Sequence, residues 1–234
     1  MIRLDYTPLE RLRVPRPVRR VPYVAGRCAG KHVLDLGCYD ETAQAKRGTG
    51  HWLHEEIGRV ARSVLGVDSS DAIPAGGVAT GPASRIVRGD VMALVEIAGE
   101  RPVEVVVAGE LIEHLPRPLE FLAMLRETFP GRELILTTPN ATSLTNVLIA
   151  LASRESNHPD HLQLFSFKTL NTLALRAGLD RWRIVPYLMY YTEMKLRTGG
   201  VKARLVGLAE RAVNLAERAF PLLAGGLILD VEKL

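Results

Sequence analysis

The sequence predicts an α/β protein built on a doubly wound, mostly parallel sheet. Three observations carry this. Short apolar runs of strand length alternate with helix-length amphipathic stretches from residue 32 to the end. Some runs, 103–108 above all, are apolar at nearly every position, as strands covered on both faces are. Three consecutive runs close on an acid, Asp35, Asp68 and Asp90, and the carboxyl ends of parallel strands share one edge of such a sheet.

In order, residues 9–29 mix arginine, proline and apolar residues. Pro15, Pro17 and Pro22 break any long helix, so a broken helical arm is expected. Strand one follows at 32–37, where Gly37 turns the chain and lets a ligand approach with no Cβ in the way. Residues 39–50 are polar and read as loop. Residues 51–61 read as a helix, with Trp52, Leu53, Ile57 and Val60 at helical spacing. Strand two covers 63–68. Residues 71–83, rich in Gly, Ala and Pro, read as loop or at most one short helix. Strand three (85–90), a helix near 91–99 and strand four (103–108) follow. A helix at 119–128 has Pro116 and Pro118 at its start. Strand five (133–138) stops at Pro139. Residues 141–153 look helical, and Ser166 caps a helix running to Gly178. Two further strands are expected at 181–187 and 226–231, with an amphipathic helix at 201–220 between them.

Composition bounds the class. The chain has 234 residues, 47% hydrophobic and 24% charged, ordinary for one large globular domain. Its apolar runs fall short of a membrane span, and the first residues lack a signal-peptide core. Cys28 and Cys38 are too few for a disulfide framework, so a cytoplasmic protein is expected. Charge is uneven. Residues 1–31 hold eight basic and two acidic residues, a net +6, leaving −2 for the rest of a chain whose total is +4. The arm reads either as a solvated helix face or as a greeting for an anionic substrate. No aromatic residues interleave with its arginines, so no nucleic-acid partner is expected.

The three strand-end acids suggest an adenosine ligand. An acid after strand two is placed to hold a ribose diol, and one after strand three to accept from an adenine amino group. A nicotinamide cofactor would favour Gly-x-Gly-x-x-Gly on the first turn, where N–H groups cradle a pyrophosphate. Here the turn reads Gly37-Cys-Tyr-Asp-Glu-Thr. One glycine and two acids repel pyrophosphate but suit a sulfonium and an ammonium group, as in S-adenosylmethionine (SAM).

Val33-Leu-Asp-Leu-Gly-Cys38 resembles motif I of class I SAM-dependent methyltransferases. Leu65-Gly-Val-Asp-Ser69, Gly89-Asp90-Val91, Gly109-Glu-Leu-Ile-Glu-His-Leu115 and Leu136-Thr-Thr-Pro-Asn140 resemble their later motifs, and His158 to Ser166 their segment before the fifth helix. The resemblance covers about residues 30–185 and includes the ubiquinone-biosynthesis O-methyltransferases. It implies a seven-stranded sheet in order 3-2-1-4-5-7-6 with the last strand antiparallel. It divides the chain into a basic arm (1–30), a SAM-binding core (31–187), a helical insertion covering the acceptor (188–225) and the last strand (226–234). It implies SAM contacts from Asp35, Gly37, Cys38, Tyr39, Asp68, Ser69, Asp90, Val91, Glu110 and Leu111. Tyr39-Asp40-Glu41 stand where the family usually has glycines, and Trp52 and His54 become further candidates near the methionyl end. Trp52 reads equally as a core anchor.

Glu110, Glu113 and His114 have helical i, i+3, i+4 spacing, so one helical turn would bring all three to one face. Ubiquinone O-methyltransferases and small-RNA 2′-O-methyltransferases carry a similar Glu-x-x-Glu-His that binds a divalent metal. By resemblance Glu110, Glu113, His114 and His161 (or His158) would hold Mg²⁺ or Mn²⁺. A metal-free site with Glu113, His114 and His161 as catalytic groups, and a purely structural cluster, stand beside that reading. The expected activity is O-methylation of a small sugar- or nucleotide-containing metabolite in a biosynthetic route. The alternatives are N- or C-methylation and a non-catalytic accessory subunit. The 201–220 helix is expected to pack on the domain or on a homodimer partner, with a membrane surface as a further option.

Overall fold

The computed structural model describes residues 4–39, 42–94 and 102–234. Asp40, Glu41 and most of the helix expected over 91–99 lie outside the described residues. The elements are α1 (Arg20–Cys28), β1 (His32–Leu36), α2 (Ala43–Lys46), α3 (Leu53–Val60), β2 (Ser63–Asp68), β3 (Val78–Gly81), β4 (Ser84–Arg88), β5 (Val105–Gly109), α4 (Pro118–Thr128), β6 (Glu133–Pro139), α5 (Leu144–Ala150), α6 (Phe167–Arg176), β7 (Arg181–Tyr187), α7 (Thr192–Thr198), α8 (Gly200–Ala219) and β8 (Gly226–Lys233). Short 3₁₀ turns occupy Ile112–His114 and Pro221–Leu223.

The strands form one sheet in the order β3-β4-β2-β1-β5-β6-β8-β7. With β3 set aside, this is the expected 3-2-1-4-5-7-6 order, and β8 runs antiparallel to both its neighbours. The eighth strand is a correction. Residues 78–81 lie in the stretch read as loop or short helix, and they fold back antiparallel on β4 through a tight turn. Glycine and proline marked the bends there but concealed the strand between them. The polar 39–50 stretch likewise contains the single-turn α2.

Side chains of successive strand residues point to opposite faces, and the sheet sorts its residues accordingly. Leu34, Leu36, Val106, Leu134 and Leu136 face α4 and α6, where Phe121, Leu125, Phe167 and Leu170 close the larger core. Val33, Val105, Val107 and Ile135 face α1 and α3, where Val24, Leu53 and Ile57 close the other. Pro118 opens α4, where its missing N–H costs nothing. Ser166 caps α6 in a reciprocal box with Thr169.

Part of the basic arm's charge is structural, while Arg11, Arg13 and Arg16 are exposed, as on a solvated face. Arg27 pairs with Glu133 at 2.8 Å and Asp230 at 3.2 Å, and Lys31 with Glu133 at 2.7 Å, so these charges bind the arm to the sheet. The amphipathic helix packs on the domain through one side only. Leu205, Leu208 and Leu215 of α8 are exposed, while Asn214 and Glu217 are buried. Glu210 and Glu217 accept from the backbone N–H groups of Tyr191 and Met189, which fixes the polar side inward. Among the described residues, no helix is long and apolar enough to cross a membrane.

Candidate active site

The carboxyl ends of β4, β2, β1 and β5 lie side by side, and the expected ligand residues follow them. Gly37 has φ +65°, and a Cβ there would sit 2.9 Å from the Leu111 side chain. Glycine is thus required twice over, by backbone conformation and by space. Asp68 accepts from the backbone N–H of Tyr39 and of Ser70, each at 2.9 Å. The acid after β2 therefore shapes both the motif I turn and its own loop. Ser69 is exposed beside it. Asp90 is exposed and accepts from the Met92 N–H at 2.8 Å, while Val91 is buried in the core. Trp52 is buried and donates to the Cys38 carbonyl at 2.9 Å, so it anchors the turn to α3. Burial pushes the Cys38 thiol well above its ordinary pKa.

Asp35 departs from expectation. It is 2% exposed, and its carboxylate lies 2.8 Å from His54 Nδ1, under the sheet rather than at its edge. Thr80 and Ser84 engage the other nitrogen of His54 at 2.9 and 3.1 Å. Asp35, Cys38 and His54 bring donor atoms within 4.8 Å of one another, but this network is closed on itself. Strand parity explains the outcome: Asp35 shares its face with Val33 and meets α3. Both Asp35 and His54 thus support the turn from below.

The Glu-x-x-Glu-His segment is also rearranged. No helical turn gathers the three side chains, because Glu110 follows β5 with φ +56° and only Ile112–His114 are helical. A non-glycine residue held left-handed is the kind of strain that collects at functional sites. The three side chains diverge. Glu110 accepts from Tyr187 at 2.8 Å and from Thr137 at 3.0 Å, with Arg20 3.9 Å away. Glu113, 1% exposed, accepts from Thr138 at 3.0 Å through one oxygen, and the other has no partner. Burial, reinforced by Glu110, pushes the Glu113 carboxyl up to about 8. The same two causes, burial first, hold the Tyr187 phenol well above its ordinary range.

His114 meets His161 with ring centres 4.6 Å apart, and His158 lies 5.8 and 5.6 Å from the two. Their donor atoms all fall within 4.8 Å of one another. The loop that delivers His158 and His161 docks on the 3₁₀ turn: Leu162 and Gln163 donate to the Glu113 carbonyl, and the Gln163 side chain donates to the Leu115 carbonyl. His161 Nδ1 is buried without a partner, and burial with two neighbouring imidazoles lowers the pKa of His161. The structure therefore groups three histidines, where the sequence suggested two glutamates with two histidines. Thr137, Thr138 and Arg20 were missed as site residues. Two adjacent threonines ending an apolar strand were the available signal.

A family model described as a methyltransferase domain matches residues 10–183. The chain belongs to that methyltransferase family, and its methyl donor is SAM. Among solved structures, a SAM-dependent methyltransferase from Archaeoglobus fulgidus is 19% identical with a TM-score of 0.53, covering 90% of this chain and 89% of that one. The small RNA methyltransferase HEN1 is 15% identical with a TM-score of 0.58, covering 92% of this chain but only 25% of HEN1. The methyltransferase domain of bacterial CtHen1-C is 17% identical with a TM-score of 0.54, covering 91% and 95%. At these identities the likeness is one of fold. No curated protein matches.

Proposed function

We propose that the chain is an O-methyltransferase acting on a hydroxyl of a small, sugar- or nucleotide-containing metabolite. The observation that carries this is the unpartnered, buried Nδ1 of His161 within the three-histidine cluster beside β5 and β6. A neutral hydroxyl is a weak nucleophile and must lose its proton, and a positioned base typically contributes about 10²–10⁴-fold. With its pKa lowered, His161 is neutral near pH 7, the form that accepts a proton. The acceptor oxygen takes the methyl group from the sulfonium as its proton passes to His161. Glu113, held protonated near neutrality, adds no negative charge beside the incoming oxygen.

The same residues fit a divalent cation. Three imidazoles converge within reach of one ion, and His161 keeps a buried nitrogen without a partner. His114, His158 and His161 would hold it, with imidazole donors suiting Mn²⁺ or Zn²⁺ better than Mg²⁺. When bound, such an ion lowers the pKa of an acceptor hydroxyl.

The test is transfer of labelled methyl from SAM to a panel of sugars, sugar nucleotides and phenols, with EDTA or with added Mn²⁺. The expected result is labelled ether in the wild type, with His161→Ala lowering kcat about 10²-fold or more while S-adenosylhomocysteine still binds. Turnover that survives His161→Ala with EDTA present would remove the histidine from the reaction. Tight cofactor binding with no turnover on any acceptor would favour an accessory subunit.

A further inference from the structure

Helix α8 carries its apolar residues on the wrong side for a core helix. Val201, Leu205, Leu208, Ala212, Leu215 and Ala219 alternate at spacings of four and three, which places them in one stripe along the helix. All six are exposed, Val201 by 72% and Leu215 by 69%. The opposite side faces the protein and mixes the half-buried Val206 and Val213 with polar groups. There Glu210 accepts from the Tyr191 N–H and from Lys195, and Glu217 from the Met189 N–H. The inward hydrogen bonds of Glu210 and Glu217 fix the helix rotation, so the outward stripe is not a core face left unpacked. An exposed apolar stripe of this length marks a docking surface.

The charges beside the stripe identify its occupant. Arg204, Arg211 and Arg218 recur every seven residues along one edge, and Lys202 starts the other. Among the described residues none of the four takes part in an ion pair with a carboxylate. A second copy docked antiparallel would set arginine edge against arginine edge. Docked parallel, it would set them against Lys202, Ala209 and Ala216, so no carboxylate meets them either way. A surface that is apolar in the middle and anionic around it satisfies both features, with the cationic side chains reaching outward to headgroups. Phe220, 63% exposed where the helix ends, adds an aromatic group suited to that depth. We propose that α8 docks on the surface of an anionic lipid bilayer, lying in its plane with the stripe inserted.

The test is flotation of the full chain with vesicles of phosphatidylcholine alone, or mixed with phosphatidylglycerol, at low and at high salt. The expected result is binding to the anionic vesicles only, weakened by salt as surface charge is screened. Arg204→Gln, Arg211→Gln and Arg218→Gln should weaken it about fivefold for each arginine removed. Leu205→Glu with Leu208→Glu should abolish it. These side chains point away from the protein, and unchanged circular dichroism and S-adenosylhomocysteine binding confirm that each variant is folded. Failure of the wild type to float with anionic vesicles would overturn the proposal, as would equal flotation of the variants. So would a homodimer in light scattering that Leu208→Glu dissociates, since a second copy would then cover the stripe. None of these readouts uses methyl transfer, so they stand or fall apart from the proposed reaction.

Discussion

Asp35 and Asp68 both close parallel strands, yet their surroundings assign them different work. Asp68 accepts two backbone N–H groups at the ligand edge and is partly exposed. Removing it as Asp68→Ala loosens Tyr39 and, on the ribose-binding role proposed for Asp68, takes away an acceptor for the cofactor's hydroxyls. A hydrogen bond to a charged group contributes about 1.5–3 kcal/mol, so S-adenosylhomocysteine should bind at least about tenfold more weakly by calorimetry. Unchanged affinity would place the adenosine elsewhere. Asp35 is buried against His54, and removing one partner of a buried pair costs about 3–5 kcal/mol. Asp35→Ala should therefore lower the thermal midpoint by roughly 6–20 °C, at about 2–4 °C per kcal/mol for a chain of this size. A midpoint within a degree of wild type would show the pair contributes nothing. The sequence placed all three acids at strand ends because apolar runs and turns are local signals. It did not show what Asp35 meets, because its partner His54 is in place only once α3 lies on the sheet.

At the scale of elements, α8 is pinned by carboxylates that face inward, and one of them pays a pH-dependent penalty. Burial raises the Glu217 carboxyl to about 7 from an ordinary value of 4.5. The folded protein then holds a proton that the unfolded chain releases between those two values. Stability contributed by this group accordingly falls as pH rises from about 4.5 to about 7 and stays lower above. Glu217→Gln keeps an acceptor for the Met189 N–H and removes the titration. Thermal melts across that window should slope less in the variant. At pH 8 the variant should be the more stable by up to about 3 kcal/mol, at 1.36 kcal/mol per pKa unit. Parallel slopes in the two proteins would contradict this origin for the burial of Glu217. Helices whose stripe faces the core were legible from period alone, as with α3 and α6. In α8 the period was equally legible, but its direction was not, since the backbone donors that hold Glu210 and Glu217 inward come from residues 189–191, outside the helix. The β3 strand was hidden for a related reason: Thr80 is fixed by His54, and no period within four residues reports that.

At the scale of the whole molecule, the sheet has two edges, and unpaired strand edges invite association with other chains. At one edge β3 folds antiparallel on β4. At the other, the arm before α1 runs along β7: the Val18 N–H donates to the Pro186 carbonyl and the Leu188 N–H to the Val18 carbonyl, each at 2.9 Å. Upstream, Leu12 and Val14 pack on the larger core, and Glu10 pairs with Lys168 of α6 at 2.7 Å. The arm is thus a strap over the second edge, and its sequence, with prolines at 15 and 17, suits an extended segment better than a helix. Deleting residues 1–18 should remove the half-buried Leu12 and Val14 and, with Val18, expose part of the β7 edge. At about 1.5 kcal/mol for each partly buried side chain, the loss is about 3 kcal/mol, a drop in thermal midpoint of roughly 6–12 °C. The truncated protein should also scatter light at concentrations where the full chain stays dispersed. If it melts at the wild-type temperature and remains dispersed, the strap does not protect the edge, and the turn from Tyr187 into α7 must shield β7 unaided.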